Sequence, residues 1–272
     1  MIKIIILSII AILIIILLIE KINSSLQFKK DVTELFSRSK NISNRTFNHG
    51  QISDLPEPVQ RYFRHILKEG HPYISYVRLK HNGQFKTSLK TDWINIEGEQ
   101  YFTTEKPGFI WKGKTSIFTA RDMYLSDKGR LVVTLLSLFN IVDGQGESFN
   151  QGELLRWLGE SVWFPTNLLP SANLQWMPID DKSSKLTFDY KGLSLYFIVS
   201  FNENNEITQV ETKRFMEAER LESWVDKFFD YKDINGVVIP TVITATWKLK
   251  EGDHNYVNFH VKEIEYNKPE KY

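Results

Sequence analysis

From about residue 73 to the end of the chain, apolar and polar residues alternate with a period of two. The alternation is clearest in four runs, at residues 77–81, 186–190, 193–201 and 241–249. Successive side chains of a β-strand point to opposite faces, so each run predicts a strand with one face in a core. His81 falls on the apolar face of the first run, which favours a hydrogen-bonded core histidine over a metal ligand. Most of the chain is therefore predicted to be β-sheet.

Short turn signals separate these runs: EGE at 97–99, SDKG at 126–129, NENN at 202–205, DINGV at 233–237 and EGD at 251–253. Short connections indicate antiparallel hairpins, because a parallel crossover needs about a dozen residues or more. We predict a mainly β (α+β) fold, a large curved antiparallel sheet or half-barrel of about 10–11 strands. Two helices, at 55–68 and 150–162, would pack on it. A closed barrel or a two-sheet sandwich is the alternative, since a large sheet must protect its edges.

The N-terminus carries a different signal. Residues 2–19 are apolar except for Lys3 and Ser8. As a helix they would span roughly 27 Å, close to the ~30 Å hydrocarbon core of a bilayer. We predict an uncleaved transmembrane anchor over residues 1–20, a polar tether over 21–54 with one short helix near 27–37, and a β half-barrel domain over 55–272. A cleaved signal peptide is the alternative, although no small-x-small cleavage site follows the apolar run.

Several classes of chemistry lack a signal. Lys and Arg total 34 against 33 acidic residues, so there is no basic surplus to favour nucleic acid. The absence of cysteine excludes disulfides, thiolate metal sites and a cysteine nucleophile. The six histidines show no zinc-site spacing, and neither a nucleophile elbow nor a P-loop occurs. We predict no metal, no cofactor and no nucleic-acid partner.

Residues 152–170, GELLRWLGESVWFPTNLLP, form the one strongly helical stretch among the predicted strands. Glu153 and Glu160 share a helix face, as an acid/base pair would, but their seven-residue spacing puts them ~10.5 Å apart along the axis. Glu153 also fits a capping box that has Asn150 as the N-cap. Glu160 follows Arg156 by four residues, which predicts an ion pair. The structural interpretation of both glutamates is favoured.

Trp157 lies on the polar face of this predicted helix. A large aromatic side chain there needs a cover, so either the sheet wraps both faces of the helix or the segment lines an apolar cavity. Trp163 follows at the point where Pro165 ends the helix, and the loop after it holds two leucines. Both alternatives stay open.

Six segments together resemble a bacterial family of unknown function whose members are usually membrane-anchored: LPEPVQRYF (55–63), VRLKHNGQF (77–85), PGFIWKG (107–113), GELLRWLGESVWFPTNLLP (152–170), IPTVITATWKL (239–249) and EIEYN (263–267). The resemblance covers residues 55–267 and implies no catalytic residues. More distantly, the pattern is similar in fold to LolA/LolB-type lipoprotein carriers, which bind acyl chains in a half-barrel closed by helices. That resemblance implies an extracytoplasmic domain, whereas the lysines after residue 20 would by the positive-inside rule favour a cytoplasmic one.

These features predict a non-catalytic, membrane-anchored module that binds a lipid, a lipoprotein or another apolar ligand. Its partners would be the bilayer, through residues 2–19, and that ligand. An arginine, Arg78 or Arg156, would meet a polar head group. The predicted ligand-binding residues are Arg78, Trp93, Phe109, Trp111, Arg156, Trp157, Trp163 and Trp247. The alternatives are an envelope assembly protein that binds another chain through a sheet edge and a glycan or lipid hydrolase that uses Glu153 and Glu160.

Overall fold

The structure is a computed structural model that describes residues 2–39, 41–88, 90–136, 138–217 and 219–272. Within these ranges the α-helices are α1 (Ile2–Ser37), α2 (Glu57–Ile66) and α3 (Glu147–Gly159). Short 3₁₀ turns lie at His49–Ile52, Glu160–Trp163 and Pro165–Leu168. The strands are β1 (Tyr76–Phe85), β2 (Ile94–Thr103), β3 (Gly108–Lys114), β4 (Phe118–Leu125), β5 (Lys128–Leu135), β6 (Phe139–Gln145), β7 (Leu174–Asp180), β8 (Ser183–Tyr190), β9 (Leu193–Phe201), β10 (Ile207–Glu217), β11 (Arg220–Ile234), β12 (Val237–Leu249) and β13 (Gly252–Tyr266).

The strands form one 13-stranded antiparallel sheet in the order β6-β5-β4-β3-β2-β1-β13-β12-β11-β10-β9-β8-β7. β1 and β13 pair near its centre, with Val77 opposite Tyr266. We call β2–β6 the first wing and β7–β12 the second wing. Hairpins join successive strands within each wing, and the segment that carries α3 leads from the edge strand β6 to the other edge strand, β7. The predicted mainly β, antiparallel fold is confirmed.

The sheet has more strands than the about ten or eleven expected from alternation. The edge strand β6 explains part of the difference, because its residues are exposed along almost the whole strand. A strand without a buried face shows no alternation of apolar and polar residues, so the sequence pattern does not detect it.

The sheet curves around α3. This helix contacts β4 and β5 in the first wing and β9 and β10 in the second. Eight positions separate β5 from β10 in the strand order, which would be about 38 Å in a flat sheet, against a helix diameter of about 10–12 Å. One helix reaches both strands only because the wings fold towards each other, so the sheet is a half-barrel with α3 on its concave side.

Two adjacent residues of α3 are hydrogen-bonded to opposite wings. Asn150 Oδ1 accepts a hydrogen bond from the backbone N–H of Gly129 in β5, at 2.8 Å. The side chain of Gln151 donates to the carbonyl of Lys213 at 3.2 Å and accepts from the N–H of Phe215 at 3.3 Å, both in β10. α3 therefore holds the two wings at a fixed separation.

α2 closes part of the same concave side. Val59, Tyr62, Phe63 and Ile66 recur at helical spacing and are fully buried in the main core. The helix contacts β12 and β8. The predicted helix at 55–68 is confirmed, and its apolar stripe faces the sheet as expected for an amphipathic helix.

The other, convex face of the sheet carries the second half of α1. Its buried residues are Phe28, Asp31, Val32, Leu35 and Phe36, which pack in a separate core with Tyr76, Tyr101, Ile110 and Met123. The helix is continuous for 36 residues, about 54 Å at ~1.5 Å per residue. The division of the chain at residues 20 and 54 stays a prediction, but residues 28–36 of the expected tether are packed on the sheet.

The first half of α1 makes no packing contact that buries it. All of its isoleucines and leucines from Ile2 to Leu26 are exposed except Leu17, which is half-buried. By length and composition the helix can cross a membrane, and a signal sequence would meet the same criteria. A membrane anchor and a signal sequence therefore both stay open for this segment.

Candidate functional site

Most of the predicted ligand-binding residues lie on the concave side of the sheet, next to α3. These are Phe109, Trp111, Arg156, Trp157, Trp163 and Trp247, and their side chains are buried or nearly so. Arg78 and Trp93 lie elsewhere. The structure thus brings six of the eight predicted residues to one side of the sheet, while their role in ligand binding stays a prediction.

Arg78 lies on the convex face, because it alternates in β1 with the inward-facing Val77 and Leu79. Its guanidinium forms an ion pair of 2.6 Å with Glu265 and lies 4.4 Å from the centre of the Tyr272 ring. The sheet separates it from the concave side, so it cannot share a site with the residues around α3.

Trp93 lies in the hairpin between β1 and β2, where its side chain is exposed. The ammonium of Lys86 is 5.0 Å from the centre of its ring. Trp93 is therefore a surface residue at one end of the first wing and contacts none of the aromatic residues around α3.

Arg156 is the centre of a buried charged cluster between α3 and the sheet. Its guanidinium donates to Asp122 at 2.6 Å and to Glu160 at 2.9 Å, which confirms the predicted pair with Glu160. It also lies 5.1 Å and 4.9 Å from the ring centres of Phe109 and Trp111. Buried between two carboxylates and two aromatic rings, this arginine stays charged, because the carboxylates raise its pKa further.

A second arginine, Arg214 from β10, pairs with Glu153 at 3.4 Å in the same cluster. The carboxylate of Asp226 is buried beside them, and burial raises its pKa well above the usual value. Burial likewise raises the pKa of Glu153, to which the charge of Asp122 adds, and the pKa of Glu160. Burial thus disfavours the ionised form of these three carboxyl groups, while the charges of the two arginines favour it.

The predicted capping box is wrong. The N-cap of α3 is Gly146, and Asn150 lies one turn inside the helix. The Asn150 side chain is bound instead to Gly129 of β5, and Glu153 is turned towards Arg214. Partners on the sheet, which the local sequence does not contain, replace the local hydrogen bonds of a capping box.

The two glutamates do not form an accessible acid/base pair. Both are buried, and neither lines either of the two surface recesses described below. Their oxygens contact Arg156, Arg214 and Gln100. Among the described residues, no group of three or more His, Asp or Glu side chains could hold a metal ion.

His81 is a hydrogen-bonded core residue, as predicted from its place in the apolar row of β1. The indole N–H of Trp111 donates to His81 Nε2 at 2.7 Å, and the His81 ring stacks on Phe259 at 4.1 Å. Burial, with the charge of Arg156 nearby, lowers the pKa of His81 to about 3. The imidazole is therefore neutral, which leaves Nε2 free to accept from Trp111.

The main recess is a cleft of about 600 Å³ at the end of the half-barrel where β1 begins and β2 meets β3. Its walls come from the segment after α1, from the start of β1, from the β2–β3 turn and from the loop after α3. Trp157 reaches its floor and lies 5.5 Å from Phe188 of β8, ring centre to ring centre. Trp157 is also buried, and its N–H donates to the carbonyl of Thr103 at 2.9 Å.

The cleft has an apolar floor and a polar rim. Its apolar lining includes Ile74, Trp157, Leu169, Leu174 and Phe188, and its polar lining includes Asn41, Ser43, Arg45, Glu105, Asn167 and Asn173. Clefts of about 300–1,000 Å³ are typical of small-molecule sites. A second recess of about 530 Å³, on the sheet near Asn82, Glu97 and His260, is mostly polar.

The acids on the strands and most of the cleft were not predicted from the sequence. Asp122 and Asp226 each occupy the inward row of a strand, between apolar neighbours such as Trp224 and Phe228. A carboxylate in an apolar row is a signal for a buried partner, and the sequence contains it. Of the cleft, the sequence pointed only to Trp157 and to the leucine-containing loop after α3, which supplies Leu169.

Residues 45–259 match the model of a family described as a family of unknown function (DUF6544). A LolA superfamily protein from Nitrosomonas europaea is similar in structure, with a TM-score of 0.46, 11% sequence identity, and coverage of 79% of this chain and 95% of that chain. An outer membrane lipoprotein-sorting protein domain from Vibrio parahaemolyticus has a TM-score of 0.41, 10% identity, and coverage of 81% and 94%. No curated protein matches the sequence.

Proposed function

The chain belongs to this family of unknown function (DUF6544), and we propose that it is a membrane-anchored module that binds an amphipathic ligand in the cleft above Trp157. The observation that carries the proposal is the cleft itself, about 600 Å³ in volume with an aromatic floor and a polar rim. An acyl chain or another apolar group would contact Trp157 and Phe188. A polar head group would remain at the rim, near Arg45 and Asn173.

The role of α3 also supports binding rather than catalysis. The concave side of the half-barrel is not open, because α3 and the buried charged cluster fill it. Asp122, Glu153 and Glu160 of that cluster are bound to arginines, and none of its carboxyl groups lines the cleft. What the cleft offers a ligand is apolar contact at the floor and hydrogen bonds at the rim.

A photoreactive fatty acid tests the proposal with the full chain in lipid nanodiscs. After illumination, labelled peptides are mapped by mass spectrometry. Labelling is expected in residues 166–174 and 188–190, which line the cleft. Labelling of residues 2–19 would report only the probe dissolved in the bilayer, and it serves as an internal standard.

The variant Ala172→Trp, which places an indole in the cleft, is expected to abolish labelling of the cleft peptides. Asn204→Trp adds the same side chain to an exposed turn outside the cleft and should leave labelling unchanged. Cleft peptides that remain unlabelled in the wild type, or that are labelled equally in Ala172→Trp, would contradict the proposal.

A second candidate function is the binding of another protein chain at the β6 edge. β6 is an edge strand that exposes Phe139, Ile141 and Val142. Exposed apolar edge strands are rare because they offer a template for pairing with another chain. Crosslinking of the full chain at Asn140 in its native membrane, followed by identification of crosslinked peptides, would show whether such a partner exists.

A further inference from the structure

α1 leaves the sheet in a defined direction. Leu35 packs over Gly108 at the start of β3, and the Lys112 ammonium near the end of β3 lies 4.9 Å from the Phe28 ring. On the neighbouring strand β4, Arg38 binds Ser126 at one end and Asp31 pairs with Arg121 nearer the other. Towards its N-terminus, α1 therefore runs towards the β3–β4 turn.

Three hairpin tips lie at that end of the first wing. The antiparallel register places the β1–β2, β3–β4 and β5–β6 connections on the same side. Arg121, which pairs with Asp31 of α1, lies four residues from Ile117 in the β3–β4 turn, about 13 Å along the strand. About nine residues of α1, counted from Asp31 towards the N-terminus, span the same distance. For a helix aligned with the strands, the tips lie level with about Ile22, just after the apolar run of residues 2–19.

These tips expose large apolar side chains. Trp93 is 37% exposed, Ile117 52%, Leu136 55% and Phe139, the first residue of β6, 63%. A soluble surface seldom groups such residues at one end of a domain. The loop at the opposite end of the same wing, between β4 and β5, has the polar sequence Ser126-Asp127-Lys128.

The charges at the tips match a lipid surface. Lys86, Lys90 and Lys114 lie at or beside the tips, and Asp92 is the one acid among the described residues of the β1–β2 connection. The Lys86 ammonium lies over the Trp93 ring. Tryptophan and lysine side chains are favoured at the level of lipid head groups, and basic residues are attracted to an anionic membrane surface.

We propose that these three hairpin tips form a second membrane contact, so that the β-domain rests on the bilayer in which α1 is anchored. Trp93, Ile117, Leu136 and Phe139 would enter the head-group region while the lysines bind anionic lipid. The proposal rests on the membrane anchorage of the proposed function but not on ligand binding. It places the cleft, which lies at the opposite end of the first wing, away from the bilayer, so a ligand would enter from the aqueous side or from a partner protein.

Single-cysteine labelling of the full chain tests this contact, because the chain has no native cysteine. Ile117→Cys and Leu136→Cys report on the tips, and Lys128→Cys, in the exposed turn at the opposite end, is the matched control. Each variant is labelled with an environment-sensitive fluorophore and reconstituted in vesicles of phosphatidylcholine and phosphatidylglycerol. Nitroxide-bearing lipids then measure the proximity of the label to the bilayer.

The expected result is a blue-shifted emission at positions 117 and 136 and loss of fluorescence to nitroxide lipids, with neither change at position 128. Equal quenching at all three positions in vesicle-bound protein would overturn the contact and leave the anchor intact. Failure of the chain to float with the vesicles would overturn the anchor and the contact together. In detergent without lipid, the labels at positions 117 and 136 could become more shielded from water as the protein concentration rises. That result would mean that the tips contact other copies of the protein, and it would also overturn the proposal.

Discussion

Arg156 of α3 and Asp122 of β4 form an ion pair of 2.6 Å, with both side chains about nine-tenths buried. The same guanidinium binds Glu160, so a single side chain connects the helix that fills the half-barrel to the first wing of the sheet. A charge in this position is tolerated only because two carboxylates and two aromatic rings surround it. The pair therefore couples the position of α3, and of Trp157 beside Arg156, to the sheet.

Removal of Arg156 alone is expected to be strongly destabilising. Arg156→Met keeps much of the side-chain volume but leaves the buried Asp122 and Glu160 without their partner. Loss of one member of a buried ion pair typically costs about 3–5 kcal/mol. Urea unfolding of the full chain in mild detergent, followed by tryptophan fluorescence, measures the change in the free energy of unfolding.

Arg130→Met is the matched control for that variant. Arg130 forms a 2.8 Å pair with Asp143, and both side chains are over 40% exposed. Exposed pairs contribute about 0–1 kcal/mol. Similar losses of stability in the two variants would mean that the buried cluster does not connect α3 to the sheet.

His81 is expected to make the protein less stable in acid. Its folded pKa is about 3, whereas an unfolded histidine titrates near ~6.5. Between these values the unfolded chain binds more protons, so the free energy of unfolding falls by up to about 1.4 kcal/mol for each pH unit of acidification. The raised pKa values of Glu153, Glu160 and Asp226 act in the opposite direction, because stability from such groups is lost as the pH rises.

His81→Gln isolates the histidine contribution, since the glutamine oxygen can still accept from Trp111. The stability difference between the wild type and His81→Gln should shrink as the pH is lowered from about 6.5 to about 4.5. His65→Gln, which replaces an exposed histidine on α2, is the control for the same substitution at the surface. A difference that does not change with pH in His81→Gln would show that His81 is not held neutral by burial.

Gly98→Ala is expected to displace the His81 ring. A Cβ on Gly98 would lie 1.8 Å from His81 Nε2, the atom that accepts from Trp111. Overpacking of this kind costs about 1–3 kcal/mol. Gly159→Ala is the control. A Cβ on Gly159 would lie 3.4 Å from the Phe197 ring, an ordinary contact, and alanine has a higher helix propensity than glycine. Equal stability of the two variants would contradict the close packing of the His81 ring against Gly98.

The sequence predicts which residues of a strand face the core better than it predicts the buried charged cluster around Arg156. Alternation identifies the inward residues of β1, and the i,i+4 spacing identifies the pair of Arg156 with Glu160, because both depend on local geometry. Asp122 and Arg214 are 34 and 58 residues from Arg156 in the sequence, and no local rule joins them. The capping-box prediction failed for the same reason, since Gly129 of β5 binds the Asn150 side chain.

The cleft is even less accessible from the sequence. It is built from the segment after α1, the start of β1, the β2–β3 turn and the loop after α3. These segments meet only after the wings have curved around α3, and curvature depends on contacts between distant strands. Trp157 was the one cleft residue that its own position made conspicuous, as an aromatic side chain on the polar face of a predicted helix.

The packing of α1 leads to the last prediction. Leu35 faces the convex side of the sheet and is 1% exposed. Its side chain packs over Gly108, where a Cβ would otherwise lie. Leu35→Ala should cost about 2–5 kcal/mol of local packing and loosen the helix from the sheet. Limited proteolysis of the full chain in vesicles should then cut faster in residues 37–46, which connect α1 to the sheet. Partial opening of this connection, rather than global unfolding, is expected because the main core lies on the other face.

Leu26→Ala is the matched control, since Leu26 lies on the same helix with its side chain exposed. Its cleavage rate should equal that of the wild type. If Leu35→Ala is also cut at the wild-type rate while its main core remains folded, α1 is not held by the convex face. The helix would then be only a tether to the β-domain, as the sequence predicted for residues 21–54, and the hairpin tips would no longer be held at a fixed height above the bilayer. If only Leu35→Ala is cut faster, the rigid junction of α1 with the sheet is what sets the orientation of the β-domain on the membrane.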